Sequence, residues 1–311
     1  MSRILQLFDC PIREIKDWLP IIRNQGFNYI QISPMQKNKV DNTNGWWLLY
    51  QPLGFEIGNK LGTKEDLREL CNEARKYGIG IIADAVINHV ANKCDEEPLE
   101  PHPDVDRDLL ENGGCFKQKA QITNWDDRWQ VTNLCMRLPG LNPNSPIVQE
   151  KITEMLNSYI DLGVDGFRLD AAKSIALPDE GCSFYENVLG SLSRYLPLVY
   201  GEVLFPTPEL IDRYSKHMKV LTNDDFYDRK RIIRFAESHD SYLSNDLGYT
   251  RNWPKEKVLD KYLRLASESD NILFYPRNYS YDWHAWKSEE VQKGNQLVKK
   301  GMKELLHNLW S

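Results

Sequence analysis

Eight short apolar runs alternate with amphipathic stretches along this chain, and this alternation constrains the fold more than any other feature. Strands that alternate with helices form a parallel sheet in which each helix crosses back over the sheet. Eight such units close into a barrel of roughly 250 residues, and the chain has 311. The pattern therefore predicts an α/β fold, a (β/α)8 TIM barrel. The runs lie at 4–8, 29–33, 79–86, 164–169, 198–204, 220–222, 232–236 and 272–275.

The stretches between the runs carry helix signals. The clearest helix begins after Thr63, because acids follow in the first turn and Gly78 supplies a stop. Only about nine residues separate the sixth run from the seventh, fewer than the ten to twelve that a crossover with its helix needs, so we expect a reduced sixth helix. The other predicted helices lie near 12–25, 146–162, 183–195, 207–217, 254–268 and 288–308.

One stretch shows no regular spacing of apolar residues. Residues 89–145 are rich in Pro, Gly, Asn and Asp, which predicts a small irregular domain inserted after the third barrel strand. The catalytic barrel would then consist of 1–88 and 146–311. The predicted eighth helix is followed only by Leu309, Trp310 and Ser311, so we expect no C-terminal β-sandwich domain.

Composition excludes two classes of partner. The chain has 39 basic and 45 acidic residues, a net charge of −6, and no dense basic block, which is unlike a nucleic-acid-binding protein. No stretch approaches the roughly 20 apolar residues of a membrane span, and the first residues do not resemble a signal peptide. We expect a cytoplasmic monomer, with a mature secreted form as the alternative.

Six dispersed cysteines favour reduced thiols, although a bridge among Cys94, Cys115 and Cys135 stays open.

Three acidic residues stand at the ends of predicted strands: Asp170, Glu202 and Asp240. A barrel gathers the carboxyl ends of its strands on one face, so these side chains are expected to meet in one pocket. Glycoside cleavage needs one carboxylic acid to protonate the leaving oxygen and one carboxylate to attack the sugar carbon. The sequence therefore predicts a glycosidase site.

Four segments around these acids resemble the ordered sequence regions of the α-amylase family, glycoside hydrolase family thirteen. Their order and spacing are similar to those of the family, and the segment 46–52 resembles the one in which the family places a sugar-stacking tyrosine. The resemblance covers about residues 3 to 310. The four segments are Asp84-Ala-Val-Ile-Asn88-His89, Gly166-Phe-Arg168-Leu-Asp170-Ala-Ala-Lys173, Gly201-Glu202-Val203 and Phe235-Ala-Glu-Ser-His239-Asp240.

The resemblance implies a role for each matching residue. Asp170 matches the nucleophile, Glu202 the general acid and base, and Asp240 a third carboxylate that holds sugar hydroxyls. The implied activity is hydrolysis, with retention of configuration, of α-1,4-glucosidic bonds in starch, glycogen and maltooligosaccharides. The substrate, an α-glucan or oligosaccharide, is then the one expected binding partner. The implied substrate-binding residues are Tyr50, His89, Arg168, Lys173 and His239.

The residues support these roles physically. Arg168 lies two positions before Asp170 on the same strand face, and its positive charge favours the ionised nucleophile. Two neighbouring carboxylates are expected to raise the pKa of Glu202 by like-charge repulsion. Asp84, among apolar neighbours, is expected to brace Arg168 at least as much as to contact a ligand.

The calcium site found in many members of the family is incomplete in this sequence. The resemblance implies three oxygen donors, of which Asn88 matches the asparagine. Gly140 stands where an aspartate is expected, and Ser174 stands where a histidine is expected to give its backbone oxygen. Because calcium takes six to eight oxygen ligands, we expect this site to be weak or absent and the activity to require no cofactor.

Several alternatives remain open at this stage. Similar residues serve α-glucosidases and transglycosylases that act on α-1,6-linked, sucrose-type or trehalose-type substrates. A silent carbohydrate-binding protein on the same fold is another alternative, although the intact acids argue against it. A metal-dependent hydrolase would use Asp84, His89, His239 and Asp240 as ligands. The aromatic residues of 124–129 either form a sugar-binding wall or anchor the inserted segment.

Overall fold

Residues 1–43, 45–222, 230–244 and 250–277 are described by this computed structural model. Eight parallel strands close into a barrel in the order β1-β10-β9-β8-β7-β6-β5-β2, which confirms the predicted fold. The barrel strands are β1 (Ser2–Leu7), β2 (Tyr29–Ile32), β5 (Gly80–Val86), β6 (Gly166–Asp170), β7 (Leu198–Glu202), β8 (Lys219–Thr222), β9 (Ile232–Phe235) and β10 (Asn271–Phe274).

Alternation along the strands divides the core into two parts. In β5, Ile82 packs with the side chains that fill the barrel, whereas Ile81 and Ala83 pack outward into the layer of helices. Successive strand residues point to opposite faces, and both faces of a parallel barrel are covered. This explains why the strands are continuous apolar runs. The inner group consists of Ile4, Ile82, Leu198, Tyr200, Leu221, Ile233, Phe235 and Leu273.

The described helices lie at the predicted positions, but the first is interrupted and some are shorter than predicted. The first predicted helix is divided into α1 (Ile12–Ile15), a 3-10 turn (Lys16–Trp18) and α2 (Leu19–Asn24), because Pro20 lacks the N–H that a continuous helix would need. The predicted helix at 183–195 is the shorter α7 (Phe184–Gly190). The remaining crossover helices are α3 (Lys64–Lys76), α6 (Pro146–Asp161), α8 (Pro208–Tyr214) and α10 (Lys255–Glu268).

The ends of α3 are marked as the sequence predicts. The Thr63 side chain accepts a hydrogen bond from the backbone of Asp66 at 3.2 Å, and Asp66 accepts one from the backbone of Thr63 at 2.9 Å. This reciprocal pair is a capping box. Gly78, which follows the helix, has a φ of 65° that glycine adopts without strain.

Two further regions stand outside the regular alternation. An antiparallel hairpin, β3 (Gln36–Asn38) and β4 (Pro52–Ile57), follows β2 and was not predicted. Residues 89–145, all of which are described, contain only α4 (Arg107–Glu111), α5 (Arg128–Asn133) and isolated bridges. The predicted eighth helix at 288–308 and most of the predicted reduced sixth helix lie outside the described residues.

Two sequence expectations concern cysteines and membranes. All six cysteines are free thiols, so the disulfide that the sequence left open among Cys94, Cys115 and Cys135 is not formed. Within the described part of the chain, no helix has both the length and the apolar character needed to cross a bilayer.

Candidate active site

Arg168 lies at the centre of a cluster of four acidic side chains. Its Nη1 donates to Asp84 Oδ1 at 2.8 Å and to Asp170 Oδ1 at 2.6 Å. Its Nη2 donates to Glu202 and lies 3.9 Å from Asp240 Oδ2. The guanidinium side chain is 2% exposed. The structure therefore brings together the three acids and the arginine that the sequence predicted to meet.

Strand register explains this geometry. Arg168 pairs with Asp84 across β5 and β6, so the two side chains lie side by side. Asp170 follows two residues later on the same face, at the carboxyl end of β6, and Glu202 ends the neighbouring β7. Asp240 lies in the first turn of α9 (His239–Leu243), which follows β9 and begins with a capping box from Ser238.

Burial dominates the electrostatics of two of these acids. It raises the pKa of Glu202 to about 8, with Arg168 opposing the shift and the charges of Asp240 and Asp170 adding to it. It likewise raises the pKa of Asp84 to about 6 against the opposing effect of Arg168. The sequence predicted the direction for Glu202 correctly but gave the wrong main cause, since desolvation outweighs like-charge repulsion here.

The other two charged groups are shifted toward their ionised forms. Burial alone would lower the pKa of Arg168, but the carboxylates of Asp84, Glu202 and Asp170 raise it well above its usual value. Burial would raise the pKa of Asp240, but His239 and Arg168 together lower it below the usual value. At neutral pH these shifts favour the charged forms of Arg168 and Asp240 and the protonated form of Glu202.

The two predicted histidines line the same pocket. His89 Nε2 lies 2.9 Å from the carbonyl oxygen of Tyr50 and 4.0 Å from Asp170 Oδ2. Burial lowers the pKa of His89, which favours the neutral ring. His239 Nε2 lies 3.2 Å from Asp240 Oδ1. Both rings therefore reach the acids that the sequence analysis assigned to catalysis.

An aromatic group supports His239, and part of it was not predicted. The ring of Tyr50 is parallel to that of His239 at 5.4 Å, and the Tyr50 hydroxyl donates to Asp84 Oδ2 at 2.8 Å. Phe8 stacks on His239 at 4.2 Å, and Gln6 Nε2 lies 2.9 Å from His239 Nδ1. Sequence reasoning missed Gln6 and Phe8, although a glutamine within the apolar run of β1 was an available signal.

Comparison with known proteins identifies the family. The family described as alpha amylase, catalytic domain, matches residues 12–188. An alpha-amylase from Clostridium acetobutylicum is 33% identical over an alignment that covers 94% of this chain. The chain belongs to the alpha-amylase family. An alpha-amylase-related protein from Drosophila serrata is 27% identical, with 93% of this chain covered. The chain spans about half the length of these relatives, 43% and 55% respectively.

Solved structures of alpha-amylases share the fold. An alpha-amylase from Geobacillus thermoleovorans, in complex with acarbose, has a TM-score of 0.70 and 20% identity, covering 98% of this chain and 78% of its own. A mutant of alpha-amylase I from Eisenia fetida, in complex with maltohexaose, has a TM-score of 0.73 and 16% identity, covering 88% of this chain and 66% of its own. At these identities the likeness establishes the alpha-amylase barrel and no more.

Lys173 and the aromatic residues of 124–129 lie around the loops of the alpha-amylase fold. Lys173 Nζ donates to the carbonyl of Leu204 at 3.1 Å, in the loop after β7. Trp125 and Trp129 are 51% and 58% exposed, which favours the sugar-binding interpretation of these residues over that of aromatic anchors. Arg128 between them donates to Ile175 O at 3.1 Å, which holds α5 against the loop that follows Asp170.

The calcium-binding oxygens implied by the alpha-amylase family are already hydrogen-bonded here. Lys117 Nζ donates to Asn88 Oδ1 at 2.7 Å and to the carbonyl oxygen of Ser174 at 2.6 Å. Burial lowers the pKa of the Lys117 ammonium to about 7, while the two acceptors favour its charged form. Gly140 offers no carboxylate. The residues present therefore do not fit a calcium ion, and Lys117 is a site residue that sequence reasoning missed.

The metal-hydrolase alternative finds no support in the geometry. Across the described ranges, no group of three or more His, Cys, Asp or Glu side chains is arranged to hold a metal ion. Asp84, which that alternative needs as a ligand, is engaged by Arg168 and by Tyr50. A cation beside the buried guanidinium would also meet like-charge repulsion.

Proposed function

We propose that this chain is a retaining α-glycosidase that hydrolyses α-1,4-glucosidic bonds in starch, glycogen or maltooligosaccharides. The observation that carries the proposal is the attachment of Asp170 and Glu202 to the two terminal nitrogens of one guanidinium, that of Arg168. This arrangement keeps the two carboxyl groups close together. A short separation is typical of retaining enzymes, whereas inverting enzymes leave room for a water molecule.

In the first step of the proposed reaction, Glu202 gives its proton to the glycosidic oxygen as Asp170 attacks the anomeric carbon. The bond from that carbon to the leaving oxygen breaks, and a covalent glycosyl-enzyme forms on Asp170. The pKa of Glu202, raised to about 8 by burial, supports this role because the acid then carries its proton at neutral pH.

In the second step, the ionised Glu202 takes a proton from a water molecule whose oxygen attacks the same carbon. The bond to Asp170 breaks, and two successive inversions leave the configuration unchanged. Asp240, with a side chain 23% exposed and held by His239, is proposed to accept hydrogen bonds from sugar hydroxyls. His239 is proposed to donate to the same sugar, and His89, whose Nε2 faces the Tyr50 carbonyl, is proposed to contact it.

The choice of an α-glucan is supported by the relatives. The 33% identical relative from Clostridium acetobutylicum is described as an alpha-amylase. A structural neighbour from Eisenia fetida was solved with maltohexaose, an oligomer of this class. The intact acids also argue against a silent binding protein.

Product analysis tests the proposal. The chain and a Glu202→Gln variant are incubated with soluble starch, maltooligosaccharides, isomaltose, sucrose and trehalose, and the products are separated by length. We expect shorter maltooligosaccharides from the wild type and none from the variant. Products longer than the substrate would instead indicate transfer to a sugar hydroxyl. Equal turnover by the variant, or no turnover of any α-glucoside, would refute the proposal.

A further inference from the structure

We propose that the Lys117 amine, held between Asn88 and Ser174, joins the inserted segment to two barrel loops and takes the place of a bound calcium ion at Asn88. Lys117 would then hold the site together. This role does not depend on which glucan the site cleaves, and its main tests do not require turnover.

The Lys117 ammonium group lies between three segments of the chain. Lys117 comes from the irregular segment 89–145, yet its Nζ contacts oxygens from two different barrel loops. Asn88 follows β5, and Ser174 ends the 3-10 turn (Ala172–Ser174) that follows β6. The lysine is only 8% exposed. One side chain therefore ties three separate segments together by two buried hydrogen bonds, which are strongest while the amine carries its charge.

The aliphatic part of the Lys117 side chain packs against Gly140. The backbone N–H of Lys117 donates to the Gly140 carbonyl at 2.8 Å. A Cβ added to Gly140 would lie 2.9 Å from Lys117 Cδ, closer than real Cβ contacts allow. The space beside residue 140 is thus filled by the lysine stem. An aspartate there would collide with that stem, so the glycine and the lysine form a matched pair.

The Lys117 ammonium and a calcium ion cannot both bind Asn88 Oδ1 and the Ser174 carbonyl oxygen. Calcium binds its oxygens at about 2.3–2.6 Å and needs six to eight of them. An ion bound to Asn88 Oδ1 and Ser174 O would lie within a few ångströms of the Lys117 ammonium, with no carboxylate from residue 140 to offset the repulsion. The ammonium and the calcium ion are therefore alternatives for the same two oxygens.

Asn88 connects Lys117 to His89 in the catalytic pocket. Asn88 Nδ2 lies 3.4 Å from the Nδ1 of His89, and His89 Nε2 lies 4.0 Å from Asp170 Oδ2. The loop of Asn88 is also held by a backbone bond from Leu141 at 2.8 Å. Lys117 thus acts as a positioning residue for His89, through Asn88, and does not itself touch the reacting atoms.

The first experiment needs only the full wild-type chain. Its Tm is measured after treatment with a chelator and again in millimolar calcium chloride, and calcium binding is followed by titration calorimetry. We expect no change in Tm and no binding heat. A Tm that falls on chelation and recovers with calcium would overturn the proposal, whether or not the protein proves to be a glycosidase.

The second experiment compares Lys117→Met with Lys119→Met. Lys119 is a suitable control because it lies two residues away, is 58% exposed and pairs with Glu100 on the surface. Losing the ammonium leaves two buried oxygens unpaired, so we expect Lys117→Met to lower Tm by roughly 5 °C and Lys119→Met to leave it unchanged. Equal Tm values for the two variants would overturn the proposal.

A third measurement separates positioning from a purely structural role. At a temperature where circular dichroism shows both variants fully folded, kcat/KM on maltooligosaccharides is expected to fall about tenfold in Lys117→Met and to stay unchanged in Lys119→Met. An unchanged kcat/KM in a folded Lys117→Met would refute the positioning role. This arm rests on the proposed function, whereas the Tm and calorimetric arms do not.

Discussion

The guanidinium of Arg168 donates to Asp84 at 2.8 Å in an ion pair whose two side chains are 2% and 0% exposed. Asp84 is held from a second side by the hydroxyl of Tyr50. The nitrogen that donates to Asp84, Nη1, also donates to Asp170, and the second terminal nitrogen, Nη2, donates to Glu202. Asp84 therefore fixes the group on which the two reacting carboxyl groups rest.

Neutralising Asp84 is expected to destabilise the protein strongly. Asp84→Asn leaves the buried charge of Arg168 less compensated, so the free energy of unfolding should fall by about 3 kcal/mol, as measured by urea unfolding. The matched control is Asp212→Asn, whose ion pair with Arg231 at 2.6 Å lies on the surface. That change should cost less than about 1 kcal/mol. If both variants lost the same free energy of unfolding, the buried ion pair would stabilise the protein no more than the surface pair does.

The activity is expected to decline at alkaline pH with a midpoint near the pKa of Glu202, about 8. The sign follows from the role: the acid must carry its proton to act, and each pH unit above its pKa removes about nine-tenths of the protonated form. The measurement is kcat/KM against pH with an uncharged maltooligosaccharide. A decline centred near the ordinary glutamate pKa of about 4.3 would mean that burial does not control this group.

A methyl group at Gly166 is expected to disturb the barrel next to the site. An added Cβ would lie 2.2 Å from the backbone carbonyl oxygen of Leu198 in the neighbouring strand, and backbone cannot move aside without cost. Gly166→Ala should lower the free energy of unfolding by about 3 kcal/mol. Gly113→Ala is the control, because nothing lies within 4 Å of its added Cβ, and its effect should stay within about 0.5 kcal/mol. Similar unfolding curves for the two variants would contradict the packing at Gly166.

Trp129 is expected to contribute to binding of long glucans. It is 58% exposed, and its neighbour Arg128 holds α5 against the loop after Asp170. Stacking on a sugar face would make Trp129→Ala raise KM for starch about tenfold while sparing maltotriose, since one aromatic contact contributes about 1 kcal/mol or more. Tyr195→Ala is the control, because Tyr195 is 88% exposed and precedes β7, at the opposite end of the barrel. A KM for starch that is equal in both variants would assign Trp129 no role in glucan binding.

Much of the fold could be predicted because its signal is local. Each barrel strand is buried on both faces and so appears as an apolar run. The start of α3 is predictable because Thr63 and Asp66 form a capping box with their own side chains. The hairpin after β2 gave no such signal, since its first strand, Gln36–Asn38, has only three residues.

The candidate site was predictable to the extent that its residues lie in barrel strands or directly after them. Asp84, Arg168 and Asp170 follow from strand alternation and from the order of the segments. Lys117 could not be found in this way, because it lies in the irregular segment 89–145 and meets Ser174 only in the folded chain. Gln6 interrupts the apolar run of β1, but its partner, His239, is set by the packing of the barrel. The main cause of the Glu202 pKa shift was also hidden, since burial depends on the packed structure.

The stereochemistry of the first product tests the central claim, that Asp170 forms a covalent intermediate with Glu202 as its acid and base. Proton NMR of a maltooligosaccharide digest, recorded before mutarotation, distinguishes the two anomers of the newly formed reducing end. The account predicts that the α-anomer appears first and that Asp170→Asn abolishes its formation. A β-anomer as the first product would mean direct attack by water and would contradict the assigned mechanism.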